Sequence, residues 1–337
     1  MNRKEGEKKL ADFLFRVFVF GAVLGLLAFW SDRNYADLRS LASLEYFPLP
    51  EAAPIWERKV KNPAELKIGL ITDTHFRPTR INRTDKSSES KRILKPDDQR
   101  ILKNFIQQMN FFSPDLVVHL GDVIEGTGDP DYIGLSGLEL VKGELEKNGA
   151  PVFWVVGNHD LRSVSKEQFR TALEMESLEY VKDWGDYRFV FLDGNFNPQN
   201  GENDFIGEGY LPGFLHPESL RWLRDQLKTD KRVVVFMHQS AMNNRDGSRN
   251  DTKNPIFNAF EIREILAKYK VDAVFNGHIE ILHKIEEDGV RYFSLAGTKK
   301  NPDFQEAYYE FRVKDEEFEL NVFYRDQAIN QIVEFEL

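Results

Sequence analysis

Leu66-Lys67-Ile68-Gly69-Leu70-Ile71-Thr72-Asp73-Thr74-His75 is the stretch whose reading decides the fold. Its largely apolar run, Leu66 to Thr72, reads as a buried strand, and it ends in a carboxylate and an imidazole two residues apart. In extended backbone, residues i and i+2 project to the same side. Asp73 and His75 therefore offer an oxygen and a nitrogen ligand in one direction, which is half of a metal site. Asp-x-His alone also describes an ordinary strand-end turn. Recurrence lifts it above that, because four later apolar runs end in ligand-type residues as well.

Downstream, Ile101, Phe105, Met109 and Phe112 fall at helical spacing, and Ser113-Pro114 stops that helix. Leu116 to Leu120 is a strand ending in Gly121-Asp122. Leu138 to Glu146 reads as a helix, and Val152 to Val156 as a strand ending in Gly157-Asn158-His159-Asp160. A helix over Ser165 to Met175, a strand over Arg188 to Leu192 and a Gly-, Asn- and Pro-rich loop over Asn195 to Pro212 come next. Pro217 to Leu227 is a helix with proline in its first turn, Val233 to Met237 a strand ending in His238, and Ile262 to Tyr269 a helix. The strand Ala273 to Asn276 ends in Gly277-His278-Ile279-Glu280. Leu282 to Glu286 and Val290 to Leu295 flank Asp288-Gly289, a hairpin signal, and strands follow at Ala307 to Val313 and Phe318 to Tyr324. Strands alternating with helices and then hairpins describe an α/β core with a mixed sheet. Ligands bind such sheets beyond the carboxyl ends of the strands, where five strands here deliver polar residues.

Upstream, Met1 to Lys9 is polar and basic and leads into Phe13 to Trp30, apolar apart from Arg16. As a helix that segment is roughly 27 Å long, enough to span a hydrocarbon core if Arg16 snorkels. The reading is a basic tail (1–12), a transmembrane anchor (13–30), a Pro-rich linker (31–65) and one domain (66–337). A cleaved signal peptide and an apolar helix docked on the domain are the alternatives. Basic residues before the segment put the N-terminus inside and the domain outside the cytoplasm. The expected location is thus a single-pass membrane protein whose partner is the lipid bilayer.

The chain has 337 residues, a net charge of -10 and no cysteine. The acidic balance argues against a nucleic-acid polymer as partner. Disulfides, thiolate metal sites and cysteine nucleophiles are excluded. A metal must then sit on His, Asp, Glu, Asn and water, which suits Mn, Fe, Zn or Mg. The stretch Arg77 to Asp98 is a charged loop, and its Arg77 and Arg80 are candidates to guide an anionic substrate.

Asp73/His75, Gly121-Asp122, Gly157-Asn158-His159-Asp160, His238 and Gly277-His278, in that order and each after a strand, resemble the pattern of the calcineurin-like metallophosphoesterase superfamily over roughly Leu66 to Leu295. The resemblance implies a four-layer αββα sandwich of two mixed sheets. It further implies two divalent cations bridged by Asp122, the first held by Asp73 and His75, the second by Asn158, His238 and His278. Such a pair acidifies a bridging water and clamps an in-line displacement at phosphorus. His159 would protonate the leaving oxygen with Asp160 fixing its tautomer, and Asn158 would also meet the substrate. The segment from Gly209-Tyr210-Leu211-Pro212 to His238 is loosely similar to the branch of cyclic-nucleotide phosphodiesterases and ADP-ribose or CDP-alcohol hydrolases.

One position departs from the pattern: Glu280 stands where the superfamily has its last histidine. As a harder ligand on the first cation it would favour Mn, Fe or Mg; the rival is that it points away and leaves that site weak. His119 reads as a core residue or one supporting the ligands, His216 as a residue preceding a helix, His283 as a supporting candidate near Glu280, and Glu125 as a group orienting a ligand. The expected activity is hydrolysis of a nucleotide-like phosphomonoester or diester. A phospholipid or lipid-linked phosphate hydrolase and a non-catalytic metal-stabilised scaffold remain as alternatives.

Overall fold

Residues 65–81, 91–198, 213–242, 255–299, 306–314, 317–324 and 327–335 are described by the computed structural model. The expected tail and membrane segment, and the expected linker up to residue 64, lie outside them. The first sheet has the order β14-β13-β12-β1-β4-β5. Its strands are Gln327–Phe335, Glu317–Tyr324, Tyr308–Lys314, Leu66–Ile71, Leu116–His119 and Val152–Trp154. The second has the order β10-β11-β9-β8-β7-β6, with strands His283–Glu287, Val290–Ser294, Ala273–Asn276, Arg232–Met237, Tyr187–Leu192 and Tyr180–Trp184. Both sheets are mixed. β1, β4 and β5 run parallel, as do β7, β8, β9 and β11, while β12 to β14, β6 and β10 are antiparallel to their neighbours.

Alternation along the strands makes the layers. Leu66, Ile68 and Leu70 of β1 pack in one buried cluster with Phe189 and Phe191 of β7, Phe236 of β8, Phe275 of β9 and Phe311 of β12, so the two sheets share an apolar interior. The opposite face of the first sheet, with Val117 and Trp154, is covered by α1 (Pro96–Phe112), α2 (Asp131–Leu145) and α3 (Lys166–Ala172). The opposite face of the second, with Val190, Val235 and Val274, is covered by α4 (Pro217–Gln226) and α5 (Ala259–Lys268). The order is helices, sheet, sheet, helices. Each fully buried Phe of the interior is worth on the order of 3–5 kcal/mol against Ala.

Three differences from the sequence reading have physical causes. Helix α2 begins at Asp131, not Leu138, because its Gly134 and Gly137 lie against Ser163, Val164 and Ile124 where a Cβ would collide. The charged loop Arg77 to Asp98 contains a two-stranded ribbon, β2 (Thr79–Arg80) with β3 (Arg92–Ile93), and its last residues open α1. Strand β6 was hidden by its charge: it is an edge strand with three exposed residues in Lys182, Asp183 and Trp184.

The single-pass membrane location expected from the sequence is overturned. Among the described residues no helix is long and apolar enough to cross a membrane. The longest described helix, α1, has 17 residues and is amphipathic: Ile101, Leu102, Phe105, Met109 and Phe112 are buried, while Asp97, Lys103, Asn104, Gln107 and Asn110 are exposed. A span needs about 20 predominantly apolar residues. Anchoring to a bilayer finds no support among the described residues.

Candidate active site

Because β1, β4 and β5 are parallel neighbours in one sheet and β8 and β9 in the other, the residues after these strands emerge along facing rims. The first two loops are zipped together. The amides of Asp73, His75 and Phe76 donate to the carbonyls of Gly121, Asp122 and Val123 at 3.1, 2.9 and 3.1 Å. In the second sheet the Gly277 amide donates to the His238 carbonyl, and at the same place the Thr298 amide joins the two sheets by donating to the Thr72 carbonyl. Five of the predicted ligands, Asp73, His75, Asp122, His278 and Glu280, have φ between 45° and 65°. Side chains rarely adopt that left-handed region, and strain of about 1–3 kcal/mol at each persists only where the surroundings over-determine it. The glycines of the motifs are explained by close approach. A Cβ at Gly157 would run into the Asp122 amide and carboxylate, and one at Gly277 into Thr72 Oγ1 and the Asp73 carboxylate.

The side chains converge. His75 Nε2 lies 3.8 Å from Asp73 Oδ1, 3.7 Å from Asp122 Oδ2 and 3.7 Å from Glu280 Oε1. Glu280 therefore faces inward. His238 Nε2 lies 3.3 Å from the same Asp122 Oδ2, while Asp122 Oδ1 accepts the His159 amide at 2.7 Å. Asn158 Oδ1 sits 3.2 Å from His238 Nε2 and 2.9 Å from His278 Nδ1. Ligand atoms of Asp73, His75 and Glu280 fall within 4.8 Å of one another, as do those of Asp73, Asp122 and His238, and of His75, Asp122 and His159.

The donor set fits divalent cations. Both ring nitrogens of His75 are buried and lack a hydrogen-bond partner, although three carboxylates surround Nε2 and Glu125 Oε2 lies 3.5 Å from Nδ1. Burial opposes charge on this ring, yet the nearby Asp73, Glu280 and Asp122 carboxylates outweigh it and push the imidazole up to about 10. His238, buried but facing Asp122, is pushed up to about 9. Burial would raise the Asp122 carboxyl; the charge and hydrogen bond of His238 hold it well below its ordinary value. The cluster thus draws positive charge inward, and a cation can take the place of those protons.

Several assignments need correcting. Asp160 does not reach the His159 ring: its Oδ1 accepts the Ile124 amide at 3.0 Å and its Oδ2 the Gly157 amide at 2.9 Å. The turn Asp160–Arg162 aims this carboxylate back under the chain, so it ties the Asp122 loop to the Asn158 loop. Burial and the neighbouring Asp122 push it up to about 7. Arg77 is held by Asp129, through Nε at 3.1 Å and Nη2 at 2.5 Å, and Arg80 lies in the ribbon opposite Arg92. Neither guanidinium is hydrogen-bonded or ion-paired to a cluster residue. Of the two places expected for His119, core or support of the ligands, it takes the second. Its Nδ1 accepts the Gly121 amide and its Nε2 meets Thr74 Oγ1 at 3.0 Å, which in turn donates to the Val123 carbonyl. His216 caps α4 by accepting the Glu218 amide. Missed in the sequence was Arg162, whose Nη1 lies 2.8 Å from His159 Nδ1; its place two residues after Gly-Asn-His-Asp was the signal.

Comparison with known proteins follows the same residues. Residues 66–280 match the family model for the calcineurin-like phosphoesterase. The chain is 24% identical over 249 residues to the 3',5'-cyclic adenosine monophosphate phosphodiesterase CpdA of Haemophilus influenzae, a match covering 71% of this chain and 80% of that protein. Among solved structures it is similar to a dimetal phosphatase of Danio rerio, with TM-score 0.62 and 18% identity over 79% of this chain and 98% of that one. It is also similar to GAP50, the anchor in the inner membrane complex of Plasmodium, with TM-score 0.53 and 14% identity over 81% and 90%. At these identities the two structures speak to the fold.

Proposed function

The chain belongs to the calcineurin-like phosphoesterase family, and on that premise we propose that it hydrolyses a nucleotide-like phosphodiester or monoester with two divalent cations. The observation that carries the reading is Asp122 Oδ2, which stands 3.7 Å from His75 Nε2 and 3.3 Å from His238 Nε2. One carboxylate oxygen is thereby shared by two groups of ligands. Asp73, His75 and Glu280 would hold one cation and Asn158, His238 and His278 the other. Such a pair, when bound, supplies a nucleophile from water at neutral pH and neutralises charge on the phosphoryl oxygens.

The chain's own residues do the rest. The His159 amide fixes Asp122 Oδ1 and so leaves Oδ2 for the shared position. Thr72 Oγ1 and the His278 amide fix the Asp73 carboxylate, at 2.6 Å and 3.1 to 3.2 Å. Leu120 O meets His238 Nδ1 at 2.8 Å, which turns Nε2 toward Asp122. The His159 ring packs edge-on against His75, with centroids 4.3 Å apart, and stands beside the place where a phosphoryl group would meet the cluster. The preference for a nucleotide-like ester is supported by the cyclic nucleotide phosphodiesterase among the relatives.

A panel of bis(p-nitrophenyl) phosphate, cyclic nucleotides, nucleoside diphosphate derivatives and phosphomonoesters, each run with Mn, Fe, Zn and Mg, tests the reading. Turnover that needs added metal and collapses in Asp122→Asn is expected. A metal-loaded protein with two ions per chain that turns over none of these would leave the scaffold alternative standing instead.

A further inference from the structure

The loop that carries Asn158 leaves the rim with one-sided support. Among the described residues β5 is the last strand of the first sheet, and the ladder with β4 holds it from one side. Side chains of the second sheet take up its other side. Tyr180 of β6 accepts the Trp154 amide at 3.0 Å and donates to the Trp154 carbonyl at 2.9 Å. Two residues on, Asn195 Nδ2 donates to the Val156 carbonyl at 2.9 Å. From Val156 it is two residues to Asn158.

Asn195 is itself held on every side. It follows β7, whose Leu192 stands beside Met237 of β8, so it emerges next to the residues after His238. Nδ2 also donates to Asp193 Oδ1 at 3.1 Å, and the Asn195 backbone amide donates to the same oxygen at 2.9 Å. Asp193 Oδ2 is paired with Lys166 Nζ, at the start of α3, and that ammonium lies 3.7 Å from the centre of the Phe196 ring. Lys166, Asp193, Asn195 and Gln239 are all more than nine-tenths buried. A carbonyl and a carboxylate cannot donate, so both hydrogens of Nδ2 are committed and Asn195 Oδ1 must face a donor. That donor is Gln239 Nε2 at 2.5 Å, on the residue after His238. Space enforces the contact: a Cβ at Gly194 would strike Gln239 Oε1, and one at Gly213 would press on Gln239 Cγ.

Resting on the two-cation reading above, we infer that Asn195 is a positioning residue for the second cation. Its side chain spans from the residue after His238 to the residue two before Asn158, and so fixes the separation of two ligands that come from different sheets. Asn158 Oδ1 and His238 Nε2 stand 3.2 Å apart with this bridge in place. The hydrogen bonds of Asn195 go to Val156, Asp193 and Gln239, none of them a ligand, so it acts on the ion only through the backbone of the two loops. The buried Lys166–Asp193 pair gives the bridge its footing, because it orients one amide and that amide orients the next.

The test follows the ions and not turnover alone. Mn2+ binding to the full chain, read by calorimetry and electron paramagnetic resonance, should show two ions and the coupled signal of a pair in the wild type. Asn195→Ala should weaken the second ion on the order of 10-fold or more. The first ion should stay within about twofold, and at the same loading the spectrum should become the hyperfine pattern of an isolated ion. Saturating Mn2+ should return kcat to within about twofold of the wild type, since Asn195 meets neither ester nor ion. Gln239→Met removes only the donor to Asn195 Oδ1 and should weaken the second ion about threefold; it decides the matter if Asn195→Ala does not fold. Tyr180→Phe is the control for a loosened strand: it should lower Tm and leave both ions within about twofold. Equal weakening of both ions in Asn195→Ala, an unchanged second ion, or the same loss of that ion in Tyr180→Phe overturns the inference. A wild type that binds two ions and hydrolyses no ester fails the phosphoesterase reading alone, and the isotherms still decide the bridge; a wild type that binds one ion sinks both.

Discussion

Around His75 the site is crowded with carboxylate, whereas around His238 and His278 it closes on itself through one amide oxygen. His75 has both ring nitrogens buried without a hydrogen-bond partner and four acids, Asp73, Asp122, Glu125 and Glu280, within 3.8 Å. In the other half the Asn158 oxygen already lies 3.2 Å from one imidazole and 2.9 Å from the other, and Leu120 O steadies His238. Side chains that already hydrogen-bond one another can keep their places without an ion; an acid-rich pocket cannot, because its repulsion must be met by protons or by a cation. The difference teaches that the first half is completed by what it binds, while the second is largely prearranged by folding. Both depend on Asp122.

The largest effect should come from that common point. Asp122→Asn keeps the shape of the side chain but removes the charge shared by His75 and His238. Catalysis should fall on the order of 10³-fold or more, and bound metal, read by elemental analysis after gel filtration, should fall in both halves. Retention of two ions per chain would break the claim that the halves share this oxygen. Glu280→Gln strikes one half alone. One ion should be lost and the other kept, with turnover lower by about 100-fold and the remaining ion still released by Asn158→Ala. Two retained ions in Glu280→Gln would remove Glu280 from the ligand set.

Metal removal reads the same contrast as stability. Taking the ions from the wild type leaves Asp73, Asp122 and Glu280 facing one another, so chelation should lower Tm. Ligand held at about 100 times its Kd stabilises by about 2.7 kcal/mol, or roughly 5–10 °C for a domain of this size. Glu280→Gln, with one carboxylate fewer, should lose only part of that shift. An equal shift in both proteins, measured by calorimetry with and without chelator, would show that the acid-rich half is not the one that needs the ion.

Much of this was legible in the chain because apolar runs stop abruptly at ligand residues. Leu116 to Leu120 before Gly121-Asp122, and Ala273 to Asn276 before Gly277-His278, place each side chain at a strand end with no knowledge of tertiary structure. Asp288-Gly289 announced its hairpin for a local reason too: both residues have positive φ, at 52° and 77°, and β10 pairs antiparallel with β11 across them. What escaped depends on contacts made across the fold. Gly134 and Gly137 weaken a helix by propensity, and only their contact with Ser163, Val164 and Ile124 explains why α2 starts there. Tyr180–Trp184 alternates poorly because it is an edge strand whose later residues face solvent. Asp160 looked like the partner of its sequence neighbour His159, but the turn directs it to amides of Ile124 and Gly157. The inward aim of Glu280 and the hold of Arg162 on His159 are likewise facts of rotamer and turn that spacing does not encode.

The smallest effect concerns an acid outside both halves, which shows what a buried carboxylate does when no cation is at hand. Lys166 Nζ lies 2.5 Å from Asp193 Oδ2, and Glu179 stands in the same neighbourhood. Burial pushes the Glu179 carboxyl up from 4.5 to about 7; a Ser219 hydrogen bond and Lys166 offset part of this, and the Asp193 charge adds to it. A carboxyl whose folded value lies above its unfolded one binds its proton more tightly in the native state. Its contribution to stability is then fully present below about 4.5 and is lost as pH rises through about 7. With Mg2+ saturating the metal ligands, Tm should fall by a few degrees between roughly pH 5 and pH 8, and Glu179→Gln should flatten that part of the slope while leaving turnover unchanged. An identical slope in the variant would assign the loss to another buried acid such as Asp160, which is also pushed up to about 7; Asp73 and Asp122, held low, would give the opposite sign, with stability gained on leaving the acid range.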